Sequence, residues 1–266
     1  MPRSLSDGAV RVTIQKAIND MRMRAYVHTA GQLSQALDNE ALEMIYTPVR
    51  LADRVPAERA ESIILVPPQF LADCEEKTER ELFRLREAGF SKALAHTVGH
   101  IELLERCGYD IFGGDRLNCT NSETVRILAC CGVRDIIISN ELTVQRINKL
   151  DRVVPIGFNA YGRLPLMLNR RCPINDGVPC GRLGCGKFLT DRKGNRVDIL
   201  CSENTVELLN SDVMILSDRL GEFRADFAVL RFTAESDISG VVQNYLNGAE
   251  PDTPKYTRGL YYRGVM

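Results

Sequence analysis

Residues 76–113 read EKTERELFRLREAGFSKALAHTVGHIELLERCGYDIFG, and the periodicities within this stretch decide the fold. From Glu76 to Ala88, Leu82, Leu85 and Ala88 fall on one helical face among charges, and Gly89 follows as a stop. Lys92–His96 (KALAH) is then a short apolar run of strand length. Val98–Cys107 is helical again and ends at Gly108, and Tyr109–Gly113 (YDIFG) is a second strand. Strand, amphipathic helix, glycine and strand is the rhythm of βα units on a parallel sheet.

The same rhythm extends in both directions. Towards the N-terminus lie Ala25–Thr29 (AYVHT), Leu42–Thr47 (LEMIYT) and Ser62–Val66 (SIILV). Towards the C-terminus lie Asp135–Ser139 (DIIIS), Val154–Phe158 (VPIGF) and Phe227–Phe232 (FAVLRF), with a helix at Ser122–Cys131 stopped by Gly132. Eight strands predict an α/β fold, a TIM-like (β/α)8 barrel with a Cys-rich insertion after the seventh strand. An open doubly wound sheet is the alternative, although no GxGxxG follows any strand. Residues 1–24 read as an N-terminal helical segment and 25–266 as the barrel domain. Residues 159–224 interrupt the rhythm with a hairpin around Asp191-Arg192-Lys193-Gly194-Asn195 and one more apolar run, Val213–Leu216. That excursion falls at the barrel mouth, where barrel enzymes keep their chemistry.

Composition narrows the function classes. The 266 residues carry 34 Lys+Arg against 35 Asp+Glu, a net charge of −1, which excludes a broadly basic nucleic-acid binder but not a local patch. With 44% hydrophobic residues the chain can bury a real core, so it is not a disordered one. No apolar run approaches the ~20 residues that span a bilayer. MPRSLSDGAVRVTIQKAIND has no apolar region of the secretory type, so a cytoplasmic setting is expected, without membrane partners.

In a reducing compartment nine cysteines require another explanation than disulfides. Cys172, Cys180, Cys185 and Cys201 lie in NRRCPINDGVPCGRLGCGKFLTDRKGNRVDILC, spaced C-x7-C-x4-C-x15-C. Four thiolates satisfy a tetrahedral zinc or anchor an iron–sulfur cluster. Gly181, Gly184 and Gly186 let the backbone turn tightly and aim N–H groups at sulfur. The spacing itself leaves zinc and iron–sulfur both open.

The run NCTNSETVRILACCGVRDIIISNELTVQRINKL, with YGRLPLMLNRRCP, LTDRKG and the C-terminal FTAES…YLNGAEPDTPKYTRGLYYRGV, resembles peptidase family U32, the collagenase-like proteases, and in particular the later part of long members. The resemblance implies a TIM-like barrel with a 4Fe–4S cluster on Cys172, Cys180, Cys185 and Cys201. Better-understood relatives are similar to oxygen-independent hydroxylases acting on RNA or a quinone precursor. The chain departs from the pattern where a His-Gly is replaced by Asn159-Ala160-Tyr161-Gly162, and where Leu230-Arg231-Phe232 stands for a usual Lys-Ile-Glu. It also starts near the middle of a long member, which is the expectation of a missing N-terminal half or a partner subunit.

Polar residues at strand exits are the site candidates, because barrel enzymes draw catalytic groups from there. Asn118, Glu141 and His96 are the catalytic candidates; Arg163, Arg170 and Tyr161 are the substrate-binding ones, two guanidiniums suiting a carboxylate or phosphate. Each has a plainer reading: turn or cap for Asn118, first-turn acid for Glu141, structural imidazole for His96, counter-charge for the arginines. Asp115, Arg116, Asn121, Asn140, Asn159 and His28 stand at strand exits too. The expected function is a 4Fe–4S protein taking part in oxygen-independent hydroxylation or related redox modification of RNA or a small molecule. The alternatives are a peptidase, for which Cys119 beside Asn118 is the candidate nucleophile with His96, and a non-catalytic partner subunit.

Overall fold

The computed structural model describes residues 21–174, 187–202, 205–233 and 235–264. Seven parallel strands come first: β1 (Arg22–Tyr26), β2 (Leu42–Pro48), β3 (Ile63–Val66), β4 (Lys92–Ala95), β5 (Asp110–Gly113), β6 (Val133–Ile137) and β7 (Ile156–Gly162). The chain then leaves the barrel for β8 (Pro165–Asn169), β9 (Phe188–Thr190), β10 (Arg196–Cys201), β11 (Val206–Leu209) and β12 (Val213–Ile215). It returns as β13 (Phe227–Arg231), which pairs in parallel with both β7 and β1 and closes the barrel. The eight barrel strands correspond to the eight apolar runs. Strand β1 takes in Arg22 and Arg24 ahead of its run, because Arg24 points into a polar pocket of the barrel instead of into solvent.

Helices alternate with the strands: α1 (Ala30–Leu37), α2 (Glu75–Glu87), α3 (Val98–Arg106), α4 (Ser122–Cys130), a single turn α5 (Val144–Ile147), and α6 (Ile238–Leu246) after the last strand. Each of α1, α3 and α4 starts on a side-chain cap. Thr29 and Gln32 form a reciprocal capping box, Thr97 accepts from the His100 amide, and Asn121 accepts from the Thr124 amide. Leu82 and Leu85 of α2 are buried against the barrel, as their spacing requires. Between β2 and β3, two 3-10 turns (Val49–Arg54 and Ala57–Ser62) take the place of a helix.

Two apolar layers result. The larger fills the space between strands and helices. The smaller fills the barrel interior with Tyr26, Tyr46, Ile64, Val66, Leu94, Phe112, Ile137, Phe227 and Val229. The excursion after β7 folds as an antiparallel sheet ordered β8-β11-β10-β9. Its β9–β10 hairpin turns at Asp191–Asn195, where the Asp191 carboxylate accepts from the amides of Lys193 and Asn195, each at 2.8 Å. Strand β12 instead continues the barrel sheet beside the far end of β7. At that junction Gly162 has φ +116°, and a Cβ there would lie 2.0 Å from the Arg231 carbonyl oxygen, so only glycine fits. The Cys-rich stretch 175–186, with Cys180 and Cys185, lies outside the described residues.

Candidate functional site

The carboxyl ends of the strands converge under the excursion sheet, and Glu207 of β11 reaches down into them. Its Oε1 accepts from Arg116 Nη2 at 2.6 Å and from Gln69 Nε2 at 3.0 Å, and its Oε2 accepts from Arg231 Nη2. One buried carboxylate therefore ties together the loop after β3, the loop after β5 and the end of β13. Burial by itself would raise the Glu207 pKa, but Arg231 and Arg116 outweigh it and hold the group well below the usual carboxylate range. The carboxylate that meets Arg231 of the last barrel strand comes from the excursion sheet.

Beside this clasp the Tyr26 hydroxyl lies 3.4 Å from His96 Nε2. His96 is buried, and burial, with His100 and Arg116 nearby, holds its pKa well below the ordinary value, so its ring is neutral. His100 Nδ1 accepts from the His96 amide at 3.0 Å, and burial lowers its pKa to about 4. His28, at the end of β1, is lowered to about 3 by burial and then by Arg231. A Cβ on Gly114 would lie 3.0 Å from His96 Nδ1, so the backbone there passes against the imidazole.

A second concavity, an open groove of about 620 Å³, runs past the ends of β5, β6 and β7 and under the C-terminal residues. Asn118 and Glu141 both line it, and both are exposed. Asn118 is held in the left-handed region (φ 51°), and its Oδ1 accepts from Ser139 Oγ at 2.7 Å. Beneath them Asp115 Oδ2 accepts from Asn140 and Asn159 at 3.1 and 3.0 Å, and Tyr261 donates to the Asn159 carbonyl at 2.8 Å. His96 lies apart from Asn118 and Glu141, in the mouth rather than the groove. Arg163 donates to the carbonyls of Asn210 and Ser211, Arg170 pairs with Asp73, and Tyr161 is buried against Phe232 and Tyr245.

Of the four clustered cysteines, Cys172 and Cys201 are described. Both are buried in one small cluster with Ile199 and Val206. The register explains the meeting: Cys201 pairs with Val206, and Val206 with Asn169, three residues before Cys172. Two thiols brought to one end of the same sheet fit half of a four-thiol site. Among the described residues no group of three His, Cys, Asp or Glu side chains is placed to hold a metal ion.

A barrel of this topology with a sheet laid over its mouth can be compared with known proteins. Residues 53–182 match the model of peptidase family U32. The matched segment runs from the first 3-10 turn before β3 into the excursion. It contains Asn118, Glu141, Arg163, Arg170, Cys172 and Cys180, whereas Cys185, Cys201, Glu207 and Arg231 lie beyond it. No curated protein matches. Among solved structures, a U32 peptidase is similar at 13% identity and a TM-score of 0.47, covering 81% of this chain and 94% of that one. A D-psicose 3-epimerase with D-tagatose from Clostridium cellulolyticum H10 is similar at 9% identity and a TM-score of 0.38, covering 86% of this chain and 96% of that one.

The clasp was the part of the site that the sequence pattern did not bring out. Arg231 within FAVLRF and Glu207 within VELL are charges inside short apolar strands. That was the available signal, since a charge in such a run requires a buried partner. No helix among the described residues is long and apolar enough to cross a membrane.

Proposed function

We propose that this chain is an iron–sulfur protein of the U32 type that takes part in oxygen-independent hydroxylation, or a related redox modification, of a small molecule or an RNA. In such a reaction a C–H bond becomes C–OH. The oxygen comes from a small hydroxyl-bearing donor that takes the hydrogen in exchange, so donor and acceptor balance without O2. Cys172, Cys180, Cys185 and Cys201 would hold a 4Fe–4S cluster, which when bound supplies electron transfer or a Lewis-acidic iron. The observation that carries this reading is the burial of Cys172 and Cys201 in one cluster on the sheet that covers the barrel mouth.

The chain's own residues divide the remaining work. Asn118 and Glu141 present an amide and a carboxylate to a substrate in the groove. His96, neutral at ordinary pH, orients the Tyr26 hydroxyl at the mouth. Arg163 and Arg170 hold the excursion against its surroundings, and Tyr161 packs in the core, so their part is support. The peptidase reading needs an activated nucleophile. The Cys119 thiol is buried, pushed up to about 11 by that burial, and turned to the Asn121 carbonyl, which weighs against it.

Metal and sulfide analysis after anaerobic purification tests the proposal. About four irons and four sulfides per chain, with a broad absorption near ~400 nm, are expected, and both fall in Cys180→Ala. A colourless protein with one zinc and no sulfide overturns the cluster. Gelatin cleavage that is lost in Cys119→Ala or His96→Ala but survives Cys180→Ala would make the chain a peptidase instead.

A further inference from the structure

We propose that the centre held by Cys172 and Cys201 lies on the outer face of the excursion sheet and staples β8 to β10 across the back of β11, the strand that carries Glu207 into the barrel mouth. The placement rests on the assignment of these two cysteines as metal ligands, and not on which metal they hold.

Register puts the two sites on opposite faces. In an antiparallel pair, residues directly opposite point to the same face, and successive residues point to opposite faces. Leu200 of β10 pairs with Glu207 of β11, and Glu207 with Leu168 of β8. That row faces the barrel. Glu207 meets Arg116, Arg231 and Gln69 there, and Leu200 lines a small cavity at the mouth with Tyr26, His28 and Glu207. Cys201 pairs with Val206, one residue further along β10 and one residue back along β11, so both point to the other face. Packing agrees. Cys172, Cys201, Ile199 and Val206 form a buried cluster of their own, flanked by Ile174, Leu189 and Leu208, and no barrel residue belongs to it.

Strand order gives this placement a consequence. Strand β11 lies between β8 and β10. Cys172 follows the end of β8 by three residues and Cys201 ends β10, so a centre bound by both thiols ties together the strands on either side of β11. The ladder between β10 and β11 is only three residue pairs long. So short a ladder is marginal by itself, and it must hold a carboxylate away from water. Metal–thiolate bonds formed in the folded chain add directly to its stability. Val206 and Glu207 are adjacent, the first packed with the thiols and the second in the clasp. Cys201 is thus a positioning residue that acts through Glu207, and a substrate in the mouth meets side chains and not the centre.

NMR of the full chain, purified anaerobically, tests the placement, because a paramagnetic centre shifts and broadens only nearby nuclei. An iron–sulfur cluster serves as it stands. A zinc protein, which would end the redox reading, is exchanged with Co2+ and read in the same way. The Val206 and Ile199 methyl signals are expected to shift and broaden, and the His28 and His96 imidazole signals to keep ordinary positions. Imidazole shifts as large as those of the methyls overturn the placement and leave the metal standing; a chain that holds no metal overturns both.

Stripping the centre with a chelator tests the staple. Amides of β11 should then exchange at least about tenfold faster while those of β4 do not change, and reconstitution should restore them. The His28 signal should move on stripping, because Glu207 lines the same cavity, and Glu207→Gln should largely abolish that response. Should this variant fail to fold by circular dichroism, the exchange rates decide. Unchanged exchange in β11, or a full His28 response in Glu207→Gln, overturns the staple.

Discussion

Arg24 of β1 and Asp135 of β6 form an ion pair inside the barrel, Nη1 to Oδ2 at 2.7 Å, between strands that are not neighbours in the sheet. The Arg24 guanidinium also donates to the Tyr46 hydroxyl at 3.0 Å and to Glu43 at 2.8 Å, and lies 3.7 Å from the Phe227 ring centroid. A charge in a barrel interior is tolerated only with this density of partners.

Removing one member of this pair should be costly. Asp135→Ala is expected to destabilise the chain by about 3–5 kcal/mol, because Arg24 loses its more buried carboxylate partner. Burial raises the Asp135 pKa to about 6 despite the opposing pull of Arg24. The folded chain thus keeps a proton that the unfolded chain releases near its ordinary value. This group's contribution is largest at low pH and declines as pH rises to about 6. Urea unfolding midpoints between about pH 4 and 7 should show that decline in the parent, and Asp135→Asn should lack it.

The Glu207 clasp titrates in the opposite sense. Its carboxylate is held well below the ordinary range, so its stabilisation is present above the unfolded pKa and is lost as pH falls through the lowered folded value. Glu207→Ala leaves Arg231 buried, and Arg116 partly buried, without their anion and should cost about 3–5 kcal/mol, felt most in the excursion sheet. Limited proteolysis should then cut within residues 163–216 much faster than in the parent, while barrel fragments persist.

The mouth histidines should be silent at neutral pH. Burial lowers His28 to about 3 and His100 to about 4, so both stay neutral in the folded chain while the unfolded chain takes up protons below about 6.5. Stability from these groups is full above that value and falls as pH drops towards 3–4. Imidazole NMR signals of His28 and His100 should not move between about pH 5 and 8, and a titration midpoint near 6.5 for either would contradict the buried geometry.

Thiol reactivity should separate by exposure. Cys130 and Cys131 are exposed at the end of α4, whereas Cys107 and Cys119 are buried with pKa values raised by desolvation. Brief iodoacetamide treatment near neutral pH, read by peptide mass spectrometry, should label the first pair and spare the second until the chain is unfolded.

The strand–helix rhythm was legible because it is local. A run such as DIIIS or KALAH carries its own β-branched or apolar content, and glycines 89, 108 and 132 stop the helices beside them with positive φ angles. The hairpin at Asp191–Asn195 follows from an equally short-range signal, whereas Cys172 meets Cys201 only through the pairing of β8, β11 and β10. The separation of His96 from Asn118 and Glu141 was not legible, since residues at successive strand exits look equivalent until strand tilt and side-chain direction place one in the mouth and the others in the groove.

By itself, then, the sequence determined eight strands, their order along the chain, the helices between them and the position of the excursion, because hydrophobic periodicity acts over a few residues. Only the tertiary structure decided which charges face one another: Arg24 with Asp135, and Glu207 with Arg116 and Arg231. These partners lie far apart in sequence and become neighbours only when β13 closes against β1 and β7. Closure removes them from water and makes each charge depend on the other.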